Sequence, residues 1–178
     1  MGELRAYALA ASELRGVVGA TGAPADHLRR LTQESFVEQT RPLTVRDALG
    51  PIHRRVPGAP VVRPDDPTPG DLDALLAGTP VPPARAPATW RVLEAVVRSL
   101  ALAHVRAPDV DLPVGLLAPT GLPVPAGAGL TVGWCPLERA TFVAALSGWL
   151  GAADDWTREA RAGGRPTPDA VVFWTRTR

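Results

Sequence analysis

The chain contains no lysine and no asparagine, and its only isoleucine is Ile52. AT-rich codons encode all three residues, so their shared scarcity points to a very GC-rich genome. Whatever the cause, the chemistry is restricted. Without lysine there is no Schiff-base amine and no phosphate-loop ammonium. Cysteine is nearly absent as well: Cys135 stands alone, which excludes an internal disulfide and a thiolate metal cluster. No apolar run approaches the roughly 18 residues that a membrane-spanning helix requires. The formal net charge is +1 and aromatic residues make up 5% of the chain. That composition has neither the basicity of a nucleic-acid binder nor the acidity of a nucleic-acid mimic, so no nucleic-acid or membrane partner is expected. The start, Met1-Gly2-Glu3-Leu4-Arg5-Ala6, has no secretory apolar region. It also has alanine where a myristoylation signal needs serine or threonine, so a cytoplasmic protein is expected.

What remains is ample for a core: 178 residues, 46% of them hydrophobic. The reading is a single α+β domain spanning residues 1–178, with a sheet of about three to four strands and about five to six helices. Leu4-Arg5-Ala6-Tyr7-Ala8-Leu9 reads as an opening strand with Leu4, Ala6 and Ala8 on one face. Ser12 is placed as the cap of a short helix ended by Gly19. A longer helix follows Pro24, with Leu28, Leu31, Ser35 and Phe36 facing the core. Thr44 to Asp47 has the spacing of a capping box, and Gly50-Pro51 stops that helix. Residues 51–67 form a Pro-rich loop. Within the proline-dense stretch that continues to Pro87, Thr68-Pro69-Gly70-Asp71 starts a short helix lined by Leu72, Leu75 and Leu76.

Trp90, Leu93, Val97, Leu100 and His104 recur at three- and four-residue steps and predict a central helix over 88–106. A Pro/Gly-rich connection over 107–128 leads to a strand at 129–134. Pro136 then opens a helix to about Leu150, with Phe142 on its apolar face. Asp154 caps a last helix that Gly163-Gly164 closes. Asp169 to Thr175 is a terminal strand apolar enough to be buried on both faces. The pattern leaves the strand order open.

This succession of parts includes the segments AYAL (Ala6–Leu9), LLAGTPV (Leu75–Val81), GLPVP (Gly121–Pro125), VGWCPLE (Val132–Glu138) and DAVVFW (Asp169–Trp174). It resembles an uncharacterised family of small actinobacterial proteins and, more distantly, is similar to the YfbM-like family. The resemblance implies a single α+β domain and carries no established activity. Some relatives of this kind look like immunity or accessory proteins by the company they keep. The Pro-rich 51–67 segment and Trp134 depart from the pattern.

No set of residues announces a catalytic, cofactor or metal site. His104, on the apolar helical stripe, reads as a core histidine and His27 as an exposed helix residue. Loop residues His53, Arg54 and Arg55 could together grip a carboxylate or phosphate, although no glycine cradle lies beside them. Asp109/Asp111 and Asp65/Asp66 are paired acids without the about six oxygen ligands a hard cation takes. Cys135, placed before a helix start, could have its thiol activated there, but reads as a small buried residue. No serine sits in a Gly-x-Ser-x-Gly elbow. Trp134 and Trp156 are the aromatic residues read as partly exposed, and tryptophan near arginine is a common binding anchor. The leading reading is therefore a non-enzymatic protein-binding module of the immunity or accessory type, whose partner is another protein and which needs no cofactor. Two alternatives stand beside it. One is a small hydrolytic or tailoring enzyme using His53 or His104 with arginines and carboxylates. The other is a binder of small apolar ligands between the sheet and the 88–106 helix.

Overall fold

A computed structural model describes residues 3–39, 67–108, 110, 112–123 and 130–176. The side chains of 34–39, 108, 130 and 176 are excepted. The Thr44 capping pattern, the Pro-rich loop to residue 66 and the trio His53, Arg54 and Arg55 lie outside the described residues.

Four strands, β1 (Glu3–Leu9), β2 (Ala103–Pro108), β3 (Leu130–Pro136) and β4 (Ala170–Arg176), form an antiparallel sheet in the order β2-β1-β4-β3. The strands nearest the two ends of the sequence therefore pair at the centre, with Leu4 opposite Thr175 and Leu9 opposite Ala170. Side chains alternate between the faces of a strand, and both faces are packed. Tyr7, Leu9, Ala170, Val172 and Trp174 point to one side, and Leu4, Ala6, Cys135, Val171 and Phe173 to the other. This is why Ala170-Val171-Val172-Phe173-Trp174 reads as an unbroken apolar run: each of its residues is buried.

The first face is covered by α1 (Ala11–Arg15), α2 (Gly22–Gln39), α3 (Pro69–Leu76) and α4 (Ala86–Leu100). The capping box at Thr68 is present: the Asp71 carboxylate accepts from the Thr68 backbone at 2.6 Å. The same carboxylate accepts from Arg85 at 2.5 Å, which ties α3 to the 3-10 turn Pro83–Arg85 across the prolines between them. Ser12 does not cap α1. The first amide of that helix, on Ala11, donates instead to Asp169 Oδ1 at 2.7 Å, so the cap comes from the far end of the chain.

The helix expected over 88–106 is shorter. It ends at Leu100, and residues from Ala103 pair with β1. His104 fits the three- and four-residue rhythm, but Ala103, Val105 and Ala107 also alternate, and pairing with β1 decides in favour of the strand. His104 is thus an exposed residue of β2 and not a core histidine. Pro108 ends that strand, so the connection to β3 starts after it.

On the second face, the helix expected from Pro136 to Leu150 is broken into α5 (Leu137–Ala140), a 3-10 turn at Ala144–Leu146, and α6 (Ser147–Leu150). Phe142 falls in the break and is 72% exposed, where a continuous helix would have buried it. The last helix, α7 (Ala153–Ala162), begins one residue before Asp154. That residue therefore sits in the first turn, and Gly164 closes the element in the left-handed region at φ 65°. No helix among the described residues is long and apolar enough to cross a membrane.

Candidate functional site at the sheet edge

The two edges of the sheet are built differently. At the β3 edge, Ala118 bridges Trp134 through two backbone hydrogen bonds of 2.8 and 2.9 Å, so the segment 112–122 meets that strand at Ala118. The contact is close because Gly133 has no side chain: a Cβ there would stand 2.7 Å from Leu117 Cβ. Trp134 is half-buried and closes the seam. Its indole N–H donates to the Pro119 carbonyl at 3.0 Å, and Arg15 lies 5.8 Å from its ring centroid. This tryptophan serves as a clamp between β3, the 112–122 segment and α1.

At the other edge, no described strand pairs with the outer side of β2. His104 and Arg106 are exposed there, two residues apart on the face covered by α1 to α4. Cross-strand pairing places Tyr7 beside His104 and Arg5 beside Arg106. The Tyr7 and His104 rings stack with centroids 6.2 Å apart. The Tyr7 hydroxyl donates to Glu94 on α4 at 3.0 Å, and Arg5 forms an ion pair with the same carboxylate oxygen. Arg5 also donates to Glu3 through Nε at 3.1 Å and a terminal nitrogen at 2.9 Å. Arg106 reaches the other oxygen of Glu3 at 3.5 Å. Arg98, four residues after Glu94 on the same helical stripe, is exposed.

The electrostatics follow from this geometry. Burial, together with the negative charge and hydrogen bond of Glu94, pushes the Tyr7 hydroxyl well above the ordinary tyrosine range, so it remains a donor. Burial works against the charge on Arg5, but the hydrogen bonds and charges of Glu3 and Glu94 outweigh it and hold the guanidinium ionised. Both carboxylates are therefore engaged, while Arg106 and His104 sit at the rim.

No protein-family model, curated protein or solved structure matches the chain.

Among the described residues, the sequence-derived candidates do not converge. His104 and Trp134 stand on strands at opposite edges of the sheet. Trp156, expected to be partly exposed, is 7% exposed and packs against Trp149 with ring centroids 4.7 Å apart. Its position just inside α7 turns it inward, which removes it as a surface anchor. Cys135 is the next-to-last residue of β3, just before α5 starts at Leu137; it is the small buried residue expected, and burial pushes its thiol up to about 11. Among the described residues no group of histidine, cysteine and acidic side chains could hold a metal ion.

The network of Glu3, Arg5, Tyr7 and Glu94 was missed in the sequence. Its signal was available in the first strand, where the positions alternating with Leu4, Ala6 and Ala8 hold three polar residues, Glu3, Arg5 and Tyr7, in succession. Such a row next to an edge strand marks where a packed face gives way to solvent.

Proposed function

We propose that the protein is a non-enzymatic binding module, acting in the cytoplasm as an immunity-type or accessory protein, that engages another protein along the β2 edge. The observation carrying this reading is the asymmetry of the sheet: a segment of the chain meets β3 at Trp134, whereas β2 ends the described ladder with His104 and Arg106 at its rim. An edge strand offers a row of backbone donors and acceptors to an incoming chain, and adding a strand is a recurrent mode of peptide recognition.

The test is affinity capture from the native host under gentle conditions, followed by hydrogen exchange on the complex. A stoichiometric protein partner that slows exchange of the amides of 103–108 is the expected result. Recovery of no such partner would sink the binding-module reading. A partner that protects other surfaces would sink the edge assignment.

A second reading draws on one observation, the stacking of His104 on Tyr7 beside Glu94 and Arg5. A small hydrolytic enzyme could use that imidazole with the neighbouring carboxylate. It ranks second because Glu94 already accepts from two donors, which leaves it poorly placed to take a proton from a substrate. Turnover of activated esters or phosphate esters that disappears in His104→Ala and persists in His27→Ala would move this reading to first place.

A further inference from the structure

We infer that the 112–122 segment is a displaceable guard, which keeps the uncharged strand β3 from pairing with β3 of a second copy. The strand Leu130-Thr131-Val132-Gly133-Trp134-Cys135-Pro136 contains no charged side chain. A bare edge of that composition is prone to add another strand, and folded proteins blunt such edges with charge, proline or a covering segment. The two ends of this sheet divide those devices between them. β2 carries the exposed Arg106, whereas β3 is met by the 112–122 segment.

The segment straddles the edge. Leu116 belongs to the buried cluster of Leu4, Ala6 and Phe173 on one face of the sheet, and Leu122 to that of Tyr7, Val172 and Trp174 on the other. Between them the chain rounds the edge at Ala118, whose amide and carbonyl pair with the outward-facing backbone groups of Trp134. Pro119 follows directly, so the next outward position of the segment has no N–H to offer a further strand. Its carbonyl accepts from the Trp134 indole. The backbone footing is small, one pair of hydrogen bonds, and Ala118 and Pro119 are themselves exposed. Such a contact can open while the ladder of β1 with β4 stays closed.

Displacement bares an edge that fits its own copy. Antiparallel pairing centred on Gly133 sets Val132 opposite Trp134 of the copy, twice by symmetry, and Gly133 opposite Gly133. Alternation along the strand turns the amides and carbonyls of Val132 and Trp134 away from β4, so these are the residues that would exchange backbone bonds. Valine against tryptophan is a favourable cross-strand pair, and no charges meet at any position of this register.

Sedimentation and hydrogen exchange on the full chain test this. The wild type should remain a monomer with the Ala118 and Trp134 amides protected. Gly133→Ala crowds Leu117, and Leu122→Ala removes an anchor while leaving β3 as it is, so both should release the segment. Each variant should dimerise as its concentration rises, and Val132 and Trp134 should then gain protection while Ala118 does not. Adding Thr131→Arg, at an exposed position of β3, should weaken that dimer by roughly three- to thirtyfold, because the change enters twice, and should leave Ala118 unprotected. A released segment with no dimer at any concentration would overturn the self-pairing, as would a dimer that protects 103–108 in place of 130–136. An Ala118 amide that stays protected in both variants would overturn the displacement. A wild-type dimer through β3 would overturn the guard. β2 is unaltered in every variant, so failure at β3 leaves the proposed docking at β2 standing.

Discussion

Asp71 holds together more of its surroundings than its place in a short helix suggests. It is buried, accepts from the Thr68 backbone and hydroxyl at 2.6 and 2.7 Å, and binds Arg85 through both oxygens. Burial alone would favour the protonated acid, but the hydrogen bonds from Arg85 and Thr68 prevail, and its pKa falls below the usual carboxylate value. A carboxylate with a depressed folded-state pKa contributes stability that is complete above its unfolded pKa, near ~3.9, and is lost as pH drops through the folded value. Denaturant midpoints for the wild type should therefore decline below about pH 4. Asp71→Asn should be less stable at neutral pH by about 1–2 kcal/mol, the scale of a lost cap, and should show a shallower acid decline. An equal decline in both proteins would mean that other carboxylates govern acid stability. Cys135 makes the opposite case, a group silenced by its setting. Fully buried in β3 with its thiol at about 11, it should resist a thiol reagent at pH 8 in the native protein and react at once in denaturant. Prompt native labelling would contradict the placement.

At the scale of elements, the β3 edge depends on what one residue lacks. Gly133 has an ordinary strand conformation, so its role is space: the Leu117 side chain and the Ala118 carbonyl occupy the place of a Cβ, the carbonyl at 3.2 Å. Gly133→Ala should force the 112–122 segment outward and cost about 1–3 kcal/mol, as overpacking does. The Ala118 and Trp134 amides should then exchange faster while those of β1 stay protected. Loss of protection spread evenly over the sheet would argue against this local account. Elements were legible in the sequence wherever local pattern and tertiary packing agreed. The capping box at Thr68, the helical stripe from Trp90 to Leu100 and the apolar strand ending the chain all belong to that group. They failed where a pattern fitted two periods. His104 extends the helical rhythm and also stands in an alternating run, and only pairing with β1 settles which applies. Likewise the 136–150 stretch has helical spacing, but the backbone turns at Phe142, and Ala140, Val143 and Leu146 are the side chains buried on the second face. The candidate site was the least legible part. Glu94 meets Arg5 and Tyr7 across nearly ninety residues, and no local signal records such a meeting.

For the molecule as a whole, the sheet order makes the ends of the described chain interdependent. β1 and β4 pair along their length, and Asp169 stitches their junction at three points. Its side chain caps Ala11 at 2.7 Å, its amide donates to the Leu9 carbonyl at 3.2 Å, and its carbonyl accepts from Leu137 at 2.9 Å. Arg165 adds a further tie, donating to the Leu100 carbonyl at 2.7 Å and to Glu13 at 3.1 Å. Both faces of the sheet therefore share a central strand, and neither helical layer can separate without uncovering the apolar run of β4. Unfolding should be a single transition, with helical ellipticity and tryptophan fluorescence giving the same midpoint. Asp169→Ala removes only the side-chain contact, since the two backbone bonds do not need the carboxylate. It should lower stability by about 0.5–2 kcal/mol, the range for a lost N-cap, and keep the two probes coincident. Because Trp90 and Trp174 lie on the face covered by α1 to α4 while Trp149 and Trp156 lie on the other, fluorescence reports both layers. Midpoints that diverge in Asp169→Ala would show that the two layers melt separately and that the central strand does not couple them.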